Sequence, residues 1–387
     1  MPFKLGVEPQ LRPETGTQDI HDAFRLAFWM KDHWVGRLEH QARINHPIAL
    51  GFARAAELLL LDVPVAAYAT VLPHELFGHG GRLREFGGSA TYQFELPPPY
   101  SFKPSFTHTK RPLAVDTADT HLLFSQAGIL VEGYEAHAAL VSSVEADTLN
   151  HIDSGLIVGV SIHEIFEATL PWSSNDVRTW TSMQARRYLT SARPIQREYL
   201  VATSIAALVN PTILYSFYDL FWRFLVLGKR TGPMPSVHVG TAALWATDHV
   251  SPVPWGLEYE LGVLGRWPGG TVLEVSPRWG HGLAGRSLGI KLDMMGLRVV
   301  PDLPNLVAAA GIDLWFQPEL DIEATTIFGS SPSNTPGARG HAEVRWEQPG
   351  WFVGLRLGAK TKGLSGLQPI ASSAETVVYV GLLLGRP

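Results

Sequence analysis

Up to about residue 230 the apolar positions recur with helical spacing, broken by clusters of Pro, Gly, Ser and Asn. Ile48–Leu61 is rich in Ala and Leu, and Val65–Phe77 runs into a stretch that carries two histidines. His121–Val144, Leu156–Leu170, Gln184–Leu208 and Thr212–Leu227 follow as further predicted helices, with breakers such as Pro171-Trp172-Ser173-Ser174-Asn175-Asp176 between them. These segments are apolar around much of their circumference, so they are expected to pack on one another or on a membrane. A proline-rich connection from Leu96 through Pro112 is long enough to be a functional loop or lid.

Beyond Gly232-Pro233-Met234-Pro235 the period changes to two. Leu257, Tyr259, Leu261 and Val263 alternate with Glu258, Glu260, Gly262 and Leu264. Leu288, Ile290, Leu292 and Met294 alternate with Ser287, Gly289, Lys291 and Asp293. Trp351, Val353, Leu355 and Leu357 oppose Gly354, Arg356, Gly358 and Lys360. With comparable runs at 237–247, 273–278, 310–317, 341–347 and 376–384, about eight strands are predicted, joined by turns such as Trp267-Pro268-Gly269-Gly270. The expected fold class is α+β: a helical domain over residues 1–232 and an antiparallel β-barrel of about eight strands over residues 233–387. Closure would leave no exposed edge. A soluble β-sandwich would show similar alternation.

The strands run about ten residues, and Trp255, Trp267, Trp279, Trp346 and Trp351 lie near their ends. One strand face carries both signs of charge, the other Leu, Val, Trp and Tyr. This half resembles small bacterial outer-membrane barrels in pattern, which implies a lipid bilayer as partner and the outer membrane of a Gram-negative bacterium as location. Met1–Gln10 shows no basic segment ahead of an apolar one, and the chain ends Leu384-Gly385-Arg386-Pro387 instead of in an aromatic residue. Both depart from that class. No stretch reads as a clean transmembrane helix; the nearest, Ile213–Leu227, is short and interrupted by Asp219 and Arg223.

Charged residues make up only 17% of the chain and the net charge is −5, which argues against nucleic acid as a partner. There is no cysteine among the 387 residues, so any metal must sit on His, Asp or Glu. The strongest chemical signal is His74-Glu75-Leu76-Phe77-Gly78-His79. A hydrolytic zinc site on a helix needs two imidazoles on one face and a carboxylate base beside them. In a regular α-helix residues at i,i+4 lie ~40° apart but residues at i,i+5 lie ~140° apart. The extra residue therefore predicts a π-bulge around Phe77-Gly78 if both histidines bind one metal.

His74 and His79 are candidate ligands to Zn2+ and Glu75 the candidate base. A third ligand is expected from a later helix, where Val131-Glu132-Gly133-Tyr134-Glu135-Ala136-His137 buries two acids that would be costly unpaired. Glu132 is the expected ligand and Glu135 the support for a histidine. Tyr134 or His137 is a candidate donor to a developing oxyanion. His163, at i,i+4 from Glu167 on an apolar helix, is a candidate supporting partner, transition-state donor or alternative ligand; a hydrogen-bonded core histidine fits that spacing too.

His-Glu-Leu-Phe-Gly-His-Gly resembles the lengthened His-Glu-x-x-Gly-His motif of the dipeptidyl peptidase III metallopeptidases. The resemblance implies that His74 and His79 bind zinc and that Glu75 is the base, with Gly78 and Gly80 matching as well. That family's third ligand lies in a later acidic helix, at a position Glu132 matches, although Val131 and Ala136 replace its flanking acids. The likeness covers about a dozen residues and implies shared site chemistry, not a shared fold. The expected function is a zinc metallopeptidase using a metal-activated water on a peptide or protein substrate. The competing readings are a non-catalytic barrel whose helices are a plug or scaffold, and a two-histidine, one-carboxylate iron enzyme.

Overall fold

The computed structural model describes all residues except 1, 9–11, 43–46, 98, 102–104, 112–115, 170–174, 284, 299, 301, 323–332 and 384–387. Ten helices occupy the described part of the first half: α1 (Pro13–Ala42), α2 (Pro47–Glu57), α3 (Val63–Pro73), α4 (Gly80–Glu85), α5 (Ala118–Ser125), α6 (Ala127–Ala146), α7 (His151–Thr169), α8 (Asp176–Arg187), α9 (Ala192–Val209) and α10 (Pro211–Tyr218). Two π-helical turns, Leu58–Asp62 and His74–His79, join α2, α3 and α4 into one continuous helix. Over Ile48–Glu85 this helix is long and apolar enough to cross a membrane, where the sequence had led us to expect no clean span. The apolar run reads in sequence as two shorter helices, and the π turns carry the helix through the break.

Strand β1 (Pro2–Val7) lies at the chain start, β2 (Ser89–Gln93) and β3 (Phe106–Arg111) form a hairpin, and β4 (Leu149–Asn150) makes a short bridge with β5 (Thr231–Gly232). β3 comes from the proline-rich connection, of which residues 98, 102–104 and 112 lie outside the described set. The rest of the chain gives β6 (Val237–Val239), β7 (Ala242–Val253), β8 (Gly256–Arg266), β9 (Val272–Gly282), β10 (Gly285–Leu297), β11 (Leu306–Pro318), β12 (Asn334–Gln348), β13 (Trp351–Lys360) and β14 (Ser373–Leu383).

These strands form one ten-stranded antiparallel sheet in the order β1-β14-β13-β12-β11-β10-β9-β8-β7-β6. The expected closed barrel of about eight strands is therefore corrected to an open sheet: β1 and β6, its two ends, do not pair with each other. Nor is it a sandwich, since all ten strands belong to one sheet. The division at residue 232 does not isolate the sheet either. β1 pairs along β14, with Phe3 opposite Leu382 and Leu5 opposite Val380.

Helices stand where further strands would be needed for closure. α1 packs on β1, α3 on α1, α7 on α3, α9 on α7, and α9 again on β7. The wall thus runs from one sheet end to the other through helices.

Alternation gives the sheet two unlike faces. Its charged face points inward, onto α1 and α6. Glu14 of α1 meets Arg339 at 2.9 Å and Arg356 at 3.3 Å, and His137 of α6 lies 3.2 Å from Glu274, which also holds Lys291 at 3.1 Å. Its apolar face points outward and is uncovered: Leu288, Ile312, Leu314, Val344, Leu355, Leu357, Val378 and Val380 are all exposed. The buried apolar core lies instead where helices meet the sheet. Leu140, Val144 and Ile157 pack with Trp245, Leu264 and Val272, while Trp180 and Tyr199 pack with Val250 and Leu257.

Candidate metal centre

The turn His74–His79 is π-helical, so the expected bulge is present where the histidine spacing demanded it. Gly80 N–H donates to the Glu75 carbonyl, the i→i+5 bond of this geometry. The wider turn brings the two imidazoles together, with ring centroids 5.0 Å apart. Close packing of this turn on α6 requires glycine: a Cβ on Gly78 would lie 2.9 Å from the Ala127 carbonyl oxygen. Gly128, facing it on α6, leaves room for the His74 ring itself.

Both Nε2 atoms converge on one oxygen. Asp176 Oδ2 lies 3.0 Å from His74 Nε2 and 3.0 Å from His79 Nε2. Asp176 is held at the start of α8, where the Asn175 side chain accepts from Arg178 N–H at 2.7 Å as an N-cap. Its own N–H donates to Glu167 Oε2 at 3.0 Å, tying α8 to the end of α7. Burial pushes the Asp176 carboxyl up, but the imidazoles of His79 and His74 outweigh this and hold it well below the usual carboxylate range.

The opposite ring nitrogens decide what can occupy that convergence point. His79 Nδ1 lies 2.9 Å from the Phe124 carbonyl oxygen, which can only accept, so this nitrogen carries the hydrogen. His74 Nδ1 lies 2.6 Å from Glu132 Oε1, again an acceptor. In the neutral tautomer both Nε2 atoms then present lone pairs toward an oxygen that has only lone pairs. Two adjacent imidazolium ions or one cation between them would relieve the conflict. The imidazolium pair is the arrangement that holds the Asp176 carboxyl low; a metal would meet the same oxygen without two like charges side by side.

The spacing fits a metal as well. Tetrahedral zinc with bonds of about 2.0–2.1 Å separates its ligand atoms by roughly 3.3 Å. The His74, His79 and Asp176 ligand atoms all lie within 4.8 Å of one another, and the two histidine–aspartate pairs are within a few tenths of an ångström of the tetrahedral spacing.

A second group with metal-like spacing, Asp32, Glu57 and His151, contrasts with this one. Its cations are already supplied by the protein. Lys31 Nζ lies 3.0 Å from Asp32, 2.7 Å from Glu57 and 2.6 Å from Asp62, and Arg230 bridges Asp32 and Glu57 at 2.9 and 2.6 Å. It is a buried ion network.

Glu132 does reach the histidines, on the far side of the ring. Its second oxygen lies 2.8 Å from His163 Nδ1, so one carboxylate orients two imidazoles. The oxygen meeting both Nε2 nitrogens belongs to Asp176, and Glu132 stands on the Nδ1 side, the place expected of Glu135. Glu135 is fully buried and has no hydrogen-bond partner among the described residues. Tyr134 projects from the other side of α6 into the cavities under the charged sheet, beside Glu14, Lys291 and Arg339, which removes it from the histidine pair. His137 goes the same way, to Glu274.

Glu75 is buried beside the site. The Thr107 hydroxyl of β3 donates to its Oε2 at 2.6 Å, with the Glu75 carbonyl 3.1 Å away. His163 is anchored by Glu132 through Nδ1 and lies 3.7 Å from Glu167 through Nε2, while its side chain remains 45% exposed. No protein-family model, curated protein sequence or solved structure matches this chain.

Proposed function

We propose that this chain is a Zn2+-dependent hydrolase of the peptidase type, seated in a lipid bilayer by its open sheet and wall helices. The observation that carries the reading is the convergence of two imidazole Nε2 atoms on one carboxylate oxygen, beside a buried glutamate. His74, His79 and Asp176 would hold the metal through Nε2, Nε2 and Oδ2. Bound there, zinc would polarise a substrate carbonyl and ease the deprotonation of water. Glu75, fixed by Thr107, takes the proton from the attacking water and returns it to the leaving amine. Glu132 and the Phe124 carbonyl keep both imidazoles in the tautomer that offers Nε2 to a cation.

A peptide substrate is favoured by the β2–β3 hairpin. Among the described residues it is a two-stranded sheet whose outer edges pair with no further strand, and β3 packs on the turn that holds Glu75. An extended peptide can pair with such an edge. The bilayer is favoured by a charged face turned inward and an apolar face left uncovered along strands of 10 to 15 residues, from β13 to β12.

The test is Glu75→Gln in protein purified without added zinc or chelator. We expect about one zinc per chain in both wild type and variant, with proteolysis lost only in the variant. Metal-free wild-type protein would sink the hydrolase reading, and stoichiometric iron would redirect it to the two-histidine, one-carboxylate class.

A further inference from the structure

We propose that the substrate is an apolar polypeptide segment lying in the bilayer, which reaches the metal centre sideways through the helical part of the wall. This rests on the reading of a membrane-seated metallopeptidase and adds the route and the substrate class. α7 is a single helix between two unlike environments.

Ser161 and Glu164 of α7 line a cavity of about 220 Å³ under the sheet, shared with Gly133 of α6 and with His249, Glu258 and Arg278 of the sheet. Ile162 and Phe166 point the other way and are exposed, at 38% and 52%. His163 lies between them in sequence, half exposed, with its Nδ1 on the same Glu132 that orients His74. Its ring centroid is 6.5 Å from that of His74. An imidazole wired to the metal centre therefore surfaces within an apolar patch.

That patch continues the outer wall. α9, packed on α7, exposes Val201, Ile205 and Leu208, and the α2–α3 helix exposes Phe52, Leu59, Leu60 and Val63. The same character extends over the outer face of the sheet. α7 thus has on one side the cavity lined by Glu164, His249, Glu258 and Arg278 among apolar side chains, and on the other an apolar surface that carries His163. An apolar chain meets the second without leaving the lipid. Among the described residues no further strand pairs with the β2–β3 sheet, which favours a polypeptide over an acyl ester, whose chains have no backbone groups to pair.

The absence of cysteine makes the test direct. Single cysteines replace Phe166, Ile162 and, as a control on the sheet, Ile290. Each is labelled with a nitroxide in the full-length Glu75→Gln protein, zinc-loaded and reconstituted in phosphatidylcholine vesicles. Accessibility is read to oxygen, which concentrates in the bilayer core, and to a water-soluble nickel chelate. The expected result is preferential oxygen access at all three positions. Adding a synthetic transmembrane peptide of Leu-Ala repeats should then lower oxygen access at 162 and 166 and leave 290 unchanged.

Nickel access at 162 and 166 with oxygen access at 290 would overturn the sideways route and leave membrane seating intact. Nickel access at all three would overturn both. Oxygen access that the peptide does not alter at 162 and 166 would overturn the polypeptide occupant. Zinc content, measured on the same samples, reports separately on the metal centre.

Discussion

Replacing Glu132 by Gln separates a metal ligand from a residue that only orients one. Glu132 accepts from His74 Nδ1 at 2.6 Å and from His163 Nδ1 at 2.8 Å, one imidazole on each oxygen. A glutamine keeps the shape but has one acceptor oxygen, so one imidazole would face an amide NH2, donor against donor. Loss of such an orienting partner typically weakens metal binding about 10–100-fold, which is about 1.4–2.8 kcal/mol. Asp176→Asn should do more, because it removes the negative oxygen facing both Nε2 atoms and should end stoichiometric zinc binding. The assay is competition with a fluorescent chelator of known zinc affinity, on protein whose helical circular dichroism matches wild type. The expected order is wild type, then Glu132→Gln, then Asp176→Asn. A Glu132→Gln protein without zinc beside an Asp176→Asn protein that retains it would refute the assignment and return the ligand role to Glu132.

Thr107→Val should leave zinc content unchanged and lower kcat. The lost bond to the Glu75 carboxylate is charge-assisted and worth about 1.5–3 kcal/mol, so roughly a 10–150-fold loss is expected; an unchanged rate would remove Thr107 from the positioning of the base. Zinc retention should fall with pH. Asp176 is already held ionised well below the usual carboxylate range, so the histidines set the limit, and protons compete with zinc for them as pH falls. Equilibrium dialysis over a series of pH values checks this, and retention that instead weakens as pH rises would contradict it.

Much of this arrangement was legible in the residues. The change of period after Pro235 marked the long sheet, and the two-sided strands marked one charged and one apolar face. The i,i+5 spacing of His74 and His79 carried the π turn, because no regular α-helix brings such a pair to one face. Closure was not legible. Whether a sheet closes depends on what lies at its ends, and the helices at those ends are distant in sequence. Pro2–Val7 is too short a run to advertise itself as the strand beside β14.

Asp176 escaped for a different reason. Asn175-Asp176 follows a Ser-rich breaker, and an acid at a helix start is explained by capping and the helix dipole before any metal is considered. Only the fold brings α8 against the π turn. Glu132 was legible as a buried acid needing a partner, but a carboxylate near two histidines can meet either side of the ring, and spacing does not choose between Nδ1 and Nε2.

The most direct test of the centre is anomalous X-ray scattering at the zinc edge from crystals of the protein purified without chelator. The account predicts one strong peak within bonding distance, about 2.0–2.2 Å, of His74 Nε2, His79 Nε2 and Asp176 Oδ2. No peak there, or a peak among Asp32, Glu57 and His151, would contradict it.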